Sequence, residues 1–360
     1  MRFYKNFVYL NQEETMKILH SADWHLGSKN LKLPAYQQKV LREEGFINLQ
    51  RFFDEAYSQG YDVVLICGDL FHSKSVSQKL YNAFATAVEN FARPVLYVQG
   101  NHDENIFADK ITPQNFHILS KSNPSITINN VNFYSQIEGQ TIDQSQTNVL
   151  LLHGNIETMG DNDYVNINKY FPCKFTYIAM GHIHQMKKYK KDNNIFAYSG
   201  SLFSNGFDEC GDKGFLQVVI EDKKVEKVEF KPFATRRYMI CECDISSCQN
   251  STQIIKEIEE TILQNSISTK DIVRVVLKGS YDESSEKSLE YIKQHFNHFF
   301  YFELKDESTL KLDIEKIKQE KLSFKYEFIT LVENSDLPQE DKKLICEIGL
   351  EALKGEEINL

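Results

Sequence analysis

No apolar run in the sequence approaches the roughly 20 residues needed to cross a bilayer, which excludes a helical membrane span. Proline and glycine are sparse, 7 and 16 among 360 residues, too few for a collagen-like or low-complexity chain. The seven cysteines are odd in number and scattered through apolar runs (Cys67, Cys173, Cys346). They lack the paired spacing of a secreted disulfide framework, so the expected setting is the reducing cytoplasm. Residues 1–15 start basic but have no continuous apolar stretch or small-residue cleavage site. They read as an extension rather than a secretory signal, with Met16 as an alternative start. Basic charge is also in short supply, 41 Lys and Arg against 51 Asp and Glu, a net charge of −10. Any contact with a polyanion must therefore come from local patches.

What is present is an alternation of short apolar runs with helical patterns. The runs are 17–20, 62–67, 94–99, 148–153, 177–180 and 195–198. Continuous apolar runs of this length are buried strands, and the helical spacing at 38–58 and 76–91 makes the class α/β. Residues 214–220 and 224–233 alternate instead, which predicts an antiparallel hairpin closing a sandwich. The first domain, 16–233, is expected to end there. Residues 234–305 then read strand, helix, strand, helix, strand, a compact α+β unit. The remainder, 306–360, is charged and helical with no further strand signal.

Five polar clusters sit at strand ends: Asp23-Trp24-His25, Gly68-Asp69-Leu70-Phe71-His72, Gly100-Asn101-His102-Asp103, His153-Gly154, and Gly181-His182-Ile183-His184. In α/β sheets ligands bind beyond the carboxyl ends of the strands, so these loops can converge. Alone, each is an ordinary turn or cap; together they supply nitrogen and oxygen donors for metal, without thiolate. The natural division places Asp23, His25 and His184 on one ion and Asn101, His153 and His182 on a second, with Asp69 bridging through its two oxygens. Two such ions favour hydrolysis of a phosphate ester. His102 is placed to protonate the leaving oxygen, Asp103 to orient it, and His72 to hold the phosphate or share the acid role. His20 lies inside its strand and reads as a satisfied core histidine.

In this order the motifs resemble the calcineurin-like metallophosphoesterase superfamily. The stretches His20 to Gly27, Gly68 to His72, and Tyr198-Ser199-Gly200-Ser201 leading to Lys213-Gly214-Phe215 look like its SbcD branch, and the tail 341–353 is similar to the YhaO-like exonucleases of that group. The resemblance implies a four-layered β-sandwich flanked by helices, with a small α+β DNA-capping domain and a helical C-terminal segment that is a possible ATPase-docking region. It also implies a Mn-dependent DNA exonuclease and endonuclease in double-strand-break repair, acting as a homodimer with an SbcC-like SMC-family ATPase, and it maps the seven metal ligands and His102 and His72 onto the residues above. The other readings are a phosphodiesterase on nucleotides or small molecules, and a non-catalytic scaffold regulating an ATPase.

Two basic patches are candidate DNA contacts: Lys187, Lys188, Lys190 and Lys191, directly after His184, and Arg236 with Arg237. Cys241, Cys243 and Cys248 lack the paired spacing and the fourth ligand of a zinc site, and Met239, Cys241, Cys243 and Ile245 fall on one strand face, which reads as core packing.

Overall fold

The structure, a computed structural model, describes residues 15–29, 32–103, 106–160, 162–191, 194–282, 285–311, 317 and 323–354. The expected extension lies almost entirely outside them. The chain divides into two units, Met1–Tyr238 and Met239–Leu360.

The first unit is built on β1 (Met16–Ser21), α1 (Ala35–Ser58), β2 (Val63–Cys67), α2 (Gln78–Phe91), β3 (Val95–Val98), β4 (Phe116–Leu119), β5 (Ser125–Ile128), β6 (Val131–Tyr134), β7 (Thr147–His153), β8 (Tyr177–Gly181), β9 (Lys187–Lys191), β10 (Asn194–Tyr198), β11 (Gly214–Glu221) and β12 (Lys224–Pro232). These strands form two sheets of six, in the orders β12-β11-β1-β2-β3-β4 and β5-β6-β7-β8-β10-β9. β1, β2 and β3 run parallel in the first, and β7, β8 and β10 in the second. The expected β11–β12 hairpin is antiparallel and joins the first sheet through β1.

The continuous apolar strands are explained by burial on both faces. In β2, Val63, Leu65 and Cys67 face a core shared with Val149, Leu151, Tyr177 and Ala179 of the second sheet. Val64 and Ile66 face the other way, toward Leu49, Phe52 and Phe53 of α1 and Phe84 and Val88 of α2. On the outer face of the second sheet, Leu150, Leu152, Ile178 and Met180 pack with Tyr170 and Phe175 from a 3-10 turn, Ile167–Cys173, and the loop after it. The fold is thus mixed α/β, two stacked sheets with helical cover. His20 is satisfied in the core as expected: Nε2–H donates to Met180 O at 3.2 Å and Nδ1 accepts from the Tyr177 hydroxyl at 2.9 Å.

The second unit contains β13 (Tyr238–Asp244), α3 (Ser251–Gln264), β14 (Ile272–Lys278), β15 (Ser280–Asp282), α4 (Leu289–His295), β16 (Tyr301–Asp306), β17 (Thr309–Lys311), α5 (Phe324–Glu333) and α6 (Gln339–Lys354). Its main sheet is β13-β14-β16. Cys241, Cys243 and Cys248 are free, buried core residues. Two expectations are corrected. The second helix of this unit, expected over 283–295, begins at Leu289, capped by Ser288 Oγ, and residues 280–282 form a strand. That strand pairs with β17, which lies where no strand was expected. Ile329 and Val332 of α5 and Cys346 and Leu350 of α6 belong to the same core as Ile254, Ile258 and Val275. No helix among the described residues is long and apolar enough to cross a membrane.

Candidate metal centre

The five polar loops leave the carboxyl ends of β1, β2, β3, β7 and β8, and backbone bonds knit them before any side chain is considered. The amides of Asp23, His25 and Leu26 donate to the carbonyls of Gly68, Asp69 and Leu70 at 3.1, 3.0 and 2.9 Å. Trp24, between two candidate ligands, is buried with its ring 4.6 Å from that of Phe52 on α1 and its indole N–H on Ser21 Oγ at 2.7 Å. Asp23, His25, Asp69 and His182 all have positive φ, 52°, 45°, 49° and 100°. Such conformations are costly away from glycine and collect where side chains must be aimed against the backbone's preference. Gly100 serves a different need: a Cβ there would stand 2.1 Å from Asp69 Oδ1, so only glycine lets the third loop close over the second.

Three overlapping sets of side chains bring ligand atoms within 4.8 Å of one another: Asp23, His25 and His184; His25, Asp69 and His102; and Asp23, Asp69 and His153. Asn101 joins through its Oδ1, 3.0 Å from His153 Nε2. The rings of His153 and His182 lie perpendicular with centroids 5.3 Å apart. His72 and His102 are stacked at 5.9 Å and both approach His25, at 5.7 and 5.0 Å. All seven residues expected as ligands, with His102 and His72, are therefore gathered in one place.

The hydrogen bonds fix which atoms face the centre. Cys67 O can only accept, so His153 Nδ1 carries the proton of their 2.9 Å bond, and Nε2 is turned toward Asp69 Oδ2 at 3.5 Å. His184 Nδ1 donates to Glu209 Oε1 at 2.6 Å, and its Nε2 meets His25 Nε2 at 3.1 Å. Imidazoles held from behind by a carbonyl or carboxylate, with the second nitrogen turned inward, are the usual arrangement of metal-binding histidines. Two ring nitrogens facing each other at 3.1 Å fit a shared cation. The donors are nitrogen and oxygen throughout, a set that suits a divalent ion of the Mn, Fe or Zn kind.

The two oxygens of Asp69 have different partners. Oδ1 accepts the His102 amide at 2.9 Å, which leaves Oδ2 alone between His153 Nε2 and His25 Nε2, at 3.5 and 3.8 Å. Burial alone would raise the Asp69 carboxyl, but the His153 hydrogen bond and charge bring it down to about 2. His153 is correspondingly held up at about 9, Asp69 and Asp23 outweighing the burial that opposes its charge. Burial pushes Asp23 up to about 6, and burial with the nearby His184 pushes His25 down to about 4.

Asp103 does not face this chemistry. It is fully buried, with Oδ1 accepting from Gly100 N at 2.9 Å and Oδ2 from Leu70 N and Phe71 N at 2.7 and 3.4 Å. It holds two loops together by their backbone.

The basic patches separate. Arg236 is bidentate to Glu44, its Nε lying 2.9 Å from Oε2 and Nη2 2.6 Å from Oε1, and Arg237 lies 3.5 Å from Asp212. Lys187 pairs with Glu157 at 2.8 Å, and Lys191 donates to Asn168 at 3.0 Å. Lys188 and Lys190 project from the opposite face of β9, an edge strand, and are exposed. Glu209 was missed by sequence reasoning; it lies outside the strand-end pattern, and no spacing in the chain links it to His184.

The arrangement defines a class. The calcineurin-like phosphoesterase family matches residues 16–199, and the chain belongs to it. That family works with a pair of divalent ions on a phosphoester, and the Asp and His cluster here supplies the donors. Among individual proteins the chain is similar to SbcD, the D component of the nuclease SbcCD, of Staphylococcus saprophyticus, 23% identical with 84% of this chain and 82% of that protein covered. It is also similar to the structures of Plasmodium GAP50, an anchor in the inner membrane complex (11% identity, 61% of this chain and 89% of that one, TM-score 0.37), and of vacuolar protein sorting 29 from Cryptosporidium parvum (15%, 61% and 98%, TM-score 0.32).

Proposed function

We propose that the protein is a Mn-dependent DNA nuclease of the SbcD kind, hydrolysing phosphodiester bonds as exonuclease and endonuclease in double-strand-break repair. The observation that carries the reading is the convergence of Asp23, His25, Asp69, Asn101, His153, His182 and His184 from five strand ends. The similarity to a component of the nuclease SbcCD over 84% of the chain supports the choice of DNA over a small ester.

Asp23, His25 and His184 would hold one ion and Asn101, His153 and His182 the other, with Asp69 shared by both. When bound, such a pair activates water and neutralises charge on the phosphate. The chain's own groups do the rest. His102 is exposed beside the cluster, with its amide fixed on Asp69, and is placed to give a proton to the leaving oxygen. His72, stacked beside it, orients the phosphate. Lys188 and Lys190 would meet the DNA backbone, and the second unit would supply the capping domain. An SbcC-like ATPase partner and a homodimeric assembly complete the proposal.

The test is hydrolysis of a chromogenic phosphodiester by the metal-free protein resupplied with Mn, Mg or Zn. Activity greatest with Mn and absent in Asp69→Ala supports the reading. Equal activity in Asp69→Ala rejects it.

A further inference from the structure

The two proposed ion positions are anchored by different means. On one, the anchoring imidazole is His153, whose Nδ1–H rests on a backbone carbonyl, Cys67 O. On the other it is His184, and the hydrogen bonds given to its carbonyl oxygen and accepted from its ring Nδ1 all involve one later segment, 201–213. Its carbonyl oxygen accepts from Ser201 N at 3.2 Å, from Lys213 Nζ at 2.8 Å and from Ser201 Oγ at 3.4 Å. Its ring Nδ1 meets Glu209 Oε1 at 2.6 Å.

Glu209 is itself fixed in place. Its side chain is 11% exposed. Oε2 accepts from Ser201 Oγ and Asn205 N, both at 3.4 Å, while its own carbonyl accepts from Ser204 Oγ at 3.0 Å and its amide donates to Gly206 O at 3.1 Å. Lys213, 6% exposed, completes a clamp that grips both the main chain and the ring of one histidine. A carboxylate on Nδ1 holds the proton there and leaves the Nε2 lone pair facing His25 Nε2.

We infer that Glu209 is a positioning residue that fixes the tautomer and aim of His184, so that one of the two metal positions depends on it and the other does not. The inference rests on the two-metal reading of the site. Its particular content is asymmetry: no side-chain substitution removes Cys67 O from behind His153, whereas one substitution removes the acceptor behind His184.

The experiment is a Mn titration of the metal-free full-length protein, followed by calorimetry and by the electron paramagnetic resonance of free Mn, for wild type, Glu209→Gln and Glu209→Ala. Wild type should take up two ions. Glu209→Ala should bind one ion as wild type does and the other about 10- to 100-fold more weakly, the usual scale for losing such a partner. Glu209→Gln keeps an acceptor oxygen and should lose less. Two wild-type affinities in Glu209→Ala, or an equal loss at both positions, would overturn the inference, since a merely structural role weakens both together. A wild type that takes up no Mn fails at an earlier point and rejects the metal-centre reading itself.

A variant that does not fold leaves a second measurement on the wild type. The two-bond proton–nitrogen spectrum of the His184 ring, metal-free and at mildly alkaline pH, should show Nδ1 protonated and Nε2 bare. The opposite tautomer contradicts the proposal.

Discussion

The Leu70 amide donates a 2.7 Å hydrogen bond to Asp103 Oδ2, tying the loop after β3 to the loop after β2 at the point where both deliver residues to the metal centre. With Gly100 N on Oδ1 and Phe71 N also on Oδ2, one buried carboxylate sets the spacing between Asp69 and Asn101.

Asp103→Ala therefore strands buried backbone donors. A donor left unsatisfied costs about 1–3 kcal/mol, so urea unfolding of the variant should show a loss of at least that size. Catalysis should fall as well, through misplacement of Asp69 and Asn101, while the pH at which activity is half-maximal stays put. A shifted pH profile with unchanged stability would mean that Asp103 takes part in proton transfer.

His102 stands at the site as a candidate acid, its ring 5.0 Å from His25. His102→Ala should leave Mn affinity within a few-fold of wild type and lower turnover about 100-fold or more, the scale of a lost general acid. A comparable loss of Mn binding would make His102 a ligand instead.

His20 makes a prediction about stability rather than turnover. Burial holds its folded-state pKa down to about 3, against an ordinary 6.5. The unfolded chain then binds a proton that the folded one refuses. This contribution is whole above pH 6.5 and is lost as the pH falls toward 3, with a slope of up to about 1.4 kcal/mol per pH unit. Urea midpoints of the metal-free protein between pH 7 and 5 should fall more steeply for wild type than for His20→Gln. Parallel slopes would contradict it.

Lys188 and Lys190 share the exposed face of β9. The double variant Lys188→Gln/Lys190→Gln should weaken duplex binding, with the slope of log affinity against log salt shallower by about two, one per lost phosphate contact. Cleavage of a small phosphodiester should be unchanged. An unchanged salt slope would remove these lysines from the DNA path.

Much of the first unit was legible because its strands are buried on both faces and leave continuous apolar runs with polar ends. β2 is the clearest case, all five residues being apolar and buried. β9 was not legible as a strand: KKYKK has no apolar pattern, and its conformation comes from pairing along β10. Ser280–Asp282 and Thr309–Lys311 are too short to register and exist through each other. At the site, residue type and order announced the donors, yet three details lay beyond sequence. The Asp69 oxygens divide their work because His102 N claims one of them. Asp103 turns away because its partners are backbone amides, which no residue pattern records. Glu209 reaches His184 across 25 positions of sequence, by folding alone.

The central claim, that the Asp and His cluster runs a Mn-dependent attack on DNA, is tested most directly with an end-labelled duplex. Wild type and Asp69→Ala should be compared with Mn and with chelator. The account predicts that wild type shortens the duplex only with Mn and that Asp69→Ala leaves it whole. Degradation by Asp69→Ala at the wild-type rate, or by wild type in chelator, would contradict it.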